Sequence, residues 1–354
     1  MIDALAAVGR AAGLDAVGVA AAVPFERTRR DLEARKAEGL AADMAFTYRR
    51  PERSADPGQA LPGARSLVVG ARSYAHEAGD PARRPGARPT ARVARYARHD
   101  HYAALRDGLD AVAAHLRGEG WRTRVLVDDN ALVDREAAVR AGLGWYGKSA
   151  NVLLPGRGSW FVLGSVVTDA PLAPAEEPVA DGCGSCTRCL DGCPTGAIVG
   201  PGVVDARRCL AWLVQAPGTF PVEHREALGD RIYGCDDCQE VCPPNRRADR
   251  RRGDDADLDR AATVDLLDLL GADDATLLAR HGRWYIAGRD PRHLRRNALL
   301  ALGNTGDPGD PAVQEAVERA RVGDDDLLRE HAAWAAARLA ARRGHPTVAV
   351  GVRR

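Results

Sequence analysis

Between residues 2 and 12 the apolar positions recur every three to four residues, which predicts an amphipathic helix; residues 16–20 follow as a short strand. Runs of β-branched and apolar residues at 66–70 (SLVVG), 123–127 (TRVLV) and 159–167 (SWFVLGSVV) have the length and composition of strands. Between them, 102–116 repeats Leu and Ala at helical spacing with Arg and Asp opposite, and 134–140 (DREAAVR) also reads as helix. Helices alternating with strands suggest helices packed on a sheet, an α/β or α+β class.

The pattern then changes. A Pro/Gly/Arg-rich stretch at 79–90 reads as an exposed loop, the Pro-rich stretch 170–178 as a boundary, and 246–259 as a charge-dense linker. From about 261 to 343 the periodicity is helical throughout, and 290–301 (DPRHLRRNALLA) aligns with 324–335 (DDDLLREHAAWA) at a period of 34. Asp290 and Asp324 are placed to cap helix N-termini, and Gly303 to end the first helix in a left-handed turn. A period of this length suggests stacked helical hairpins of the HEAT type. The expected division is a multidomain one: 1–175 mixed α and β, 176–250 a ferredoxin-like segment, and 255–354 a HEAT-like helical repeat.

Charge and cysteine usage narrow the chemistry. Fifty Lys and Arg against 49 Asp and Glu give a net charge of +1, so nucleic-acid binding has to come from local patches. No run approaches the 18 or so apolar residues that span a bilayer, and the opening segment, broken by Arg10 and Asp15, reads as a helix rather than a secretion signal. All eight cysteines fall between 183 and 242. Thiols clustered so in a long chain point to a cytoplasmic protein that uses them for metal.

Cys183, Cys186, Cys189 and Cys193-Pro194 form a C-x2-C-x2-C-x3-C-P run, in which the Cys before Pro ligates the other of two clusters. Cys235, Cys238 and Cys242-Pro243 form a second run that lacks one member, and Cys209 is the thiol left to supply it. One [4Fe–4S] cluster then takes Cys183, Cys186, Cys189 and Cys242, the other Cys193, Cys209, Cys235 and Cys238. Zinc, which favours paired CxxC spacings, fits this run badly.

Gly142 to Ser149 satisfies both GxxxxGK[ST] and GxGxxG, yet a helix precedes it and Pro155 follows shortly after, the reverse of a phosphate loop. A turn leaving a helix, or backbone N–H groups and Lys148 facing an anionic or amide-rich cofactor, suits it better. Asp128 and Asp129 end a strand; one of them, held protonated by burial, would serve as a general acid. The plainer alternative makes Asp129 or Asn130 the cap of a helix over 131–141. Arg280, Arg283, Arg289, Arg292, Arg295 and Arg296 crowd 17 residues around Trp284 and Tyr285, and Arg246, Arg247, Arg250, Arg251 and Arg252 form a second cluster. Such patches suit phosphate contact and base stacking.

The blocks Arg208-Cys209-Leu210, Tyr233 to Pro243, Val127-Asp128 with Arg135, Ala141 to Lys148, Gly158 to Phe161, Arg296-Asn297-Ala298 and Ala301 to Asn304, with Arg53 and Leu61 to Ala64 upstream, together resemble the epoxyqueuosine reductase family. The resemblance implies an oxidoreductase that reduces the epoxide of epoxyqueuosine at the tRNA wobble position to queuosine. It implies base-off cobalamin fed by two [4Fe–4S] clusters, an external one-electron donor such as flavodoxin or ferredoxin, and a monomer whose helical repeat grips the tRNA anticodon stem-loop. It makes Asp128 the proton donor and carries cobalamin contacts onto Arg53, Asp128, Gly147, Lys148, Ser149, Asn151 and Ser159, and tRNA contacts onto Arg283, Arg292, Arg295 and Arg296. Asp129 and Ala131 stand where the family has Ser and Pro, Asp134 where it has Glu, and Asp100-His101-Tyr102 inverts the usual order. A cobalamin-dependent reductive dehalogenase and a ferredoxin-type electron carrier are the alternatives.

Overall fold

A computed structural model of the chain describes residues 2–75, 88–250 and 260–344, which form two compact units. The first takes 2–75, 99–209 and 236–250; the second takes 88–98, 210–235 and 260–344. The cysteine segment is thus split, with 183–209 and 236–242 built into the same unit as the N-terminal sheet.

In the first unit four strands run in the order Ala16–Ala21, Ser66–Ser73, Phe161–Thr168, Thr123–Val127, each antiparallel to its neighbour. Helix–strand alternation predicted the elements but left the pairing open, and the sheet proves α+β rather than parallel α/β. Period-2 alternation sends Leu67, Val69 and Ala71 to one face, where they join Phe25, Leu126, Leu132, Ala137 and Ala138 in one core. On the other face lie the helices Ile2–Ala11 and His101–Gly118, which pack on each other and on the sheet. Helix Asp134–Arg140 covers the first face. It begins at Asp134, with Val133 as its N-cap and no capping side chain. Asp129 therefore does not cap it; its Oδ1 accepts from the Ala131 N–H at 2.8 Å, a side-chain turn two residues on. No helix among the described residues is long and apolar enough to cross a membrane.

The second unit holds three short strands, Thr90–Val93, Arg231–Tyr233 and Thr263–Asp265, the first of them central. Of the loop expected over 79–90, residues 79–87 lie outside the described residues, and Thr90 already belongs to a strand. Helices Leu266–Gly271, Asp274–His281 and Pro311–Val322 are capped by Asp265, Asp273 and Asp310, whose side chains accept from N–H groups of the first turn. Helices Arg292–Thr305, Pro311–Val322 and Asp326–Gly344 pack together around Leu294, Ala298, Leu299, Ala301, Leu302, Ala332 and Ala335.

Two expectations are corrected here. Asp325, not Asp324, accepts from the Leu328 N–H at the start of the last helix. Gly303 does not end its helix, which continues to Thr305. A Cβ on Gly303 would stand 2.9 Å from Ala335 Cα, so this glycine lets two helices approach where a side chain would part them.

Candidate active site

Asp128 follows the last residue of strand Thr123–Val127 and is one of few non-glycine residues with left-handed backbone, at φ 50°. Asp tolerates this conformation better than most residues, but it is still strained, and such strain persists only where the surroundings enforce it. The enforcement is visible. Arg106 donates to Val127 O at 3.3 Å just before the turn. Buried Ser54 clamps the chain after it, donating from Oγ to Asn130 O at 2.6 Å and accepting at its own carbonyl from the Val133 N–H at 3.0 Å.

This clamped loop brings two carboxyls together at the end of the sheet. The Asp128 side chain remains accessible to solvent, yet partial desolvation, with the Asp129 charge adding to it, raises its pKa. Asp134 is raised well above the ordinary carboxylate range, by burial first, then by the Asp128 and Asp129 charges, with Arg135 opposing. Its Oδ1 is buried without a hydrogen-bond partner among the described residues. Tyr102 is pushed up by burial and by the nearby Asp128, Tyr74 and Asp134, so its phenol stays neutral. Tyr74 stands 5.7 Å from His101 and 5.8 Å from Trp160, ring to ring. Tyr74, Tyr102 and Asp134 were not among the expected site residues. The replacement of Glu by Asp134 marked the position, but its burial follows from a helix that starts at 134 rather than 131. Asp100 caps helix His101–Gly118, accepting from the Ala103 N–H at 2.9 Å.

The Gly-Lys block is the turn of a hairpin between strands Trp145–Tyr146 and Val152–Leu153. The Gly147 N–H donates to Asn151 O at 2.8 Å, and the Ala150 N–H donates to Gly147 O at 2.9 Å. No helix follows, which disposes of the phosphate loop. A Cβ on Gly147 would meet Leu153 Cδ1 at 2.2 Å, so the glycine serves the hairpin rather than a ligand. Lys148 Nζ donates to Gly184 O at 2.6 Å, at the start of the cysteine segment, and Arg135 donates to Ala150 O at 3.0 Å. Asn151 Nδ2 lies 3.4 Å from Ser149 Oγ and 3.9 Å from Cys238 Sγ.

The cysteine segment rests on short helices Arg188–Asp191 and Asp237–Glu240, which pack together. Burial pushes the Cys242 thiol up to about 11, and the thiols of Cys183, Cys189 and Cys186 add to the shift. Burial likewise raises Cys238, with Cys209, Asp236, Cys193 and, least, Cys189 contributing. The Ala197 N–H points at Cys193 Sγ from 3.2 Å. Cys235 closes the 210–235 segment of the other unit, packed beside a core containing Leu210 and Phe220. Among the described residues no three such side chains converge tightly enough for one metal ion; a cubane, which spreads four thiolates over separate irons, asks for a wider spacing.

Ser159 is not free for a cofactor. Its Oγ accepts from Gln239 Nε2 at 3.1 Å and from Asn245 Nδ2 at 2.9 Å, and its N–H donates to Asn245 Oδ1 at 2.6 Å. It ties the sheet to the segment after Cys238. Arg53, half-buried on helix Pro51–Ser54, keeps its guanidinium without a hydrogen bond among the described residues.

The expected tRNA arginines do not form one cationic face. Arg296 is wholly buried, donating to the carbonyls of Leu213, Ala216 and Gly218 and to Asn297 Oδ1, so it cannot reach a phosphate. Arg295 is mostly buried and paired with Asp274 at 2.6 Å, and Arg283 donates to Arg98 O. Arg292 is exposed but lies between Asp290 at 2.6 Å and Asp325 at 3.2 Å. By contrast Arg246, Arg247 and Arg250, on helix Pro243–Arg250, are exposed on the side away from buried Asn245 and make no ion pair among the described residues.

Comparison with known proteins bears on this arrangement. A family model described as a 4Fe-4S double cluster binding domain matches residues 182–245, and one described as epoxyqueuosine reductase QueG, DUF1730, matches residues 54–129. The epoxyqueuosine reductase of Bacillus cereus is 32% identical over 337 residues, 94% of this chain and 87% of that protein. That of Xanthomonas campestris is 39% identical over 313 residues, 85% of this chain and 86% of its own. A crystal structure of epoxyqueuosine reductase with a tRNA-Tyr epoxyqueuosine-modified tRNA stem loop overlays with a TM-score of 0.83 at 31% identity, covering 95% of this chain and 89% of the other. The structure of the Streptococcus thermophilus reductase gives 0.84 at 28% identity, covering 96% and 90%.

Proposed function

The chain belongs to the epoxyqueuosine reductase family, and we propose that it reduces the epoxide of epoxyqueuosine at the tRNA wobble position to the alkene of queuosine. The observation that carries this reading is Asp128, a solvent-accessible carboxyl held in a strained turn with its pKa raised, in the same compact unit as seven of the eight cysteines. Removing the epoxide oxygen as water takes two electrons and two protons. A double-cluster segment suits delivery of electrons one at a time, and an accessible acid with a raised pKa suits protonation of the oxygen as its C–O bond breaks.

Two [4Fe–4S] clusters take Cys183, Cys186, Cys189 and Cys242, and Cys193, Cys209, Cys235 and Cys238. The mutual influence of the thiols of the first set, and the larger influence on Cys238 of Cys209 and Cys193 than of Cys189, support that partition. Cobalamin, when bound, supplies a cobalt centre that collects single electrons for a two-electron reduction. The residues here fit it in part: Arg53, Asp128, Ser149 and Asn151 would hold it, whereas Gly147, Lys148 and Ser159 are engaged within the protein. Asp128, its pKa raised by partial desolvation and the Asp129 charge, gives its proton to the epoxide oxygen. Tyr102, neutral beside it, lines the polar wall.

The RNA partner is an anticodon stem-loop. The exposed arginines Arg246, Arg247 and Arg250, unneutralised and next to the cysteine segment, suit its phosphates better than the paired arginines at 283–296. The packed helices Arg292–Thr305, Pro311–Val322 and Asp326–Gly344 act as a HEAT-like repeat that supports this partner. The protein works as a cytoplasmic monomer supplied by a small one-electron donor of flavodoxin or ferredoxin type.

The test uses anaerobically purified protein loaded with iron, sulfide and cobalamin, a chemical one-electron reductant, and an epoxyqueuosine-bearing stem-loop. Nucleoside mass spectrometry is expected to show loss of one oxygen. A fully loaded protein that consumes reductant but leaves the epoxide intact would overturn the reading in favour of an electron carrier.

A further inference from the structure

The reaction consumes two protons, and Asp128 holds one. We infer that Asp134 is the second acid of the site, a half-buried carboxyl with its Oδ1 out of solvent, which returns a proton to Asp128 once Asp128 has given its own to the departing oxygen. The inference deepens the proposed reduction and rests on it.

The geometry carries it in three steps. Six residues separate the two acids, and the loop between them is fixed rather than free. The Asp129 turn and the two hydrogen bonds to Ser54 hold the loop that leads to Asp134, the first residue of helix Asp134–Arg140, where it feels the Asp128 charge. Next, Asp134 Oδ1 is buried and has no donor among the described residues. A buried carboxylate oxygen in that state is costly as an anion and far less so as a carboxylic acid. Last, carboxyls that feel each other's charge resist double ionisation, so the pair keeps a proton when one member loses its own. Asp129 pushes the same way, Arg135 opposes, and the Tyr102 phenol feels both carboxyls while remaining neutral. The proton balance closes. The first proton goes from Asp128 to the oxygen as the C–O bond breaks, and the second from Asp134 through Asp128 to the leaving hydroxyl, which departs as water. The two electrons come from the one-electron donor of the proposed reduction, and both carboxylates reload from solvent.

The test compares wild type with Asp134→Asn, Asp134→Glu and Asp128→Asn. Infrared spectroscopy of the protein before cobalamin loading should show a protonated carboxyl C=O band of Asp134 at neutral pH, separate from any Asp128 band, that persists in Asp128→Asn and is the one lost in Asp134→Asn. In the loaded enzyme Asp134→Asn should lower kcat about 10²-fold, the low end of what a positioned acid contributes, with KM for the RNA and iron content unchanged. Small carboxylic acids should restore part of the rate, and Asp134→Glu should stay within about threefold of wild type. The inference is overturned if the band is absent, if Asp134→Asn keeps wild-type kcat and pH profile, or if its loss appears in KM and iron content instead. Should Asp134→Asn not fold, the wild-type and Asp128→Asn spectra decide alone. If wild type itself makes no alkene, the proposed reduction fails, while the band still reports on the carboxyl pair.

Discussion

Arg296 is the residue on which charge pattern and structure disagree most, and Arg296→Ala separates the two. In the structure its guanidinium donates to Ala216 O at 2.8 Å, Gly218 O at 2.5 Å and Leu213 O at 2.9 Å, and to Asn297 Oδ1 at 2.9 Å. Burial pulls its pKa down to about 10, with Arg225 adding, so at neutral pH it remains charged and fully committed to those acceptors. Truncation leaves three carbonyls of the 213–218 segment without their donor, each worth about 1–3 kcal/mol when buried. The recovered desolvation of the charge offsets part of this. A net destabilisation of about 3–5 kcal/mol follows, enough to speed exchange of protected amides by two orders of magnitude or more, roughly tenfold per 1.4 kcal/mol. Hydrogen–deuterium exchange of the peptides covering 210–220 and 292–305 reads this directly, and the stem-loop affinity of the folded fraction should not change. A variant with wild-type exchange but weakened, salt-insensitive RNA binding would return Arg296 to the phosphate surface and refute its structural role.

Cys209→Ser should halve the iron and acid-labile sulfide content, because one cluster loses a ligand and the other has its four thiols elsewhere; a variant that keeps both clusters would break the partition. Gly303→Ala should cost about 1–3 kcal/mol in a thermal or urea melt, since the new Cβ meets Ala335 Cα at 2.9 Å and backbone has to move. An unchanged melt would mean the two helices separate freely.

What the sequence revealed follows from which interactions are local. The strands Ser66–Ser73 and Thr123–Val127 and the helix His101–Gly118 are long and periodic, and their patterns fixed them to within a few residues. The strands of the second unit escaped notice because each has three or four residues and its partners lie far away, Arg92 opposite both Arg231 and Thr263. The cysteine spacing was legible because a cluster imposes its geometry over a few residues of chain. Arg296 and Arg292 look alike as letters, yet one fills a nest of carbonyls from 213–218 and the other lies in water between two aspartates. Burial of a charge is decided by distant backbone, and no local pattern records it. Asp134 is the intermediate case: its position was marked, while its orphaned oxygen depends on where the preceding loop is pinned by Ser54.

Asp128→Asn tests the acid itself, and its stability and activity should move in different directions. Asn keeps the shape and can hold the strained turn, but it has no acidic proton, so turnover should fall by about 10²–10⁴-fold with clusters and RNA affinity intact. The pH dependence has a definite sign. Burial and the Asp129 charge raise the folded-state pKa of Asp128, so its protonated form favours folding. That contribution is fully present below the unfolded-state pKa and is lost as pH rises through the raised folded value. Above that value wild type carries a partly desolvated charge that the amide lacks, so Asp128→Asn should be no less stable than wild type there, and its stability should vary less with pH. Wild-type kcat should fall across the same pH window as the proton is lost. Asp129→Ser, which preserves the side-chain turn to Ala131, should be mild by comparison. An Asp128→Asn enzyme within about tenfold of wild type would be too active for one that had lost its general acid. Asp128 would then be a turn residue, and the proton would have to reach the oxygen from elsewhere.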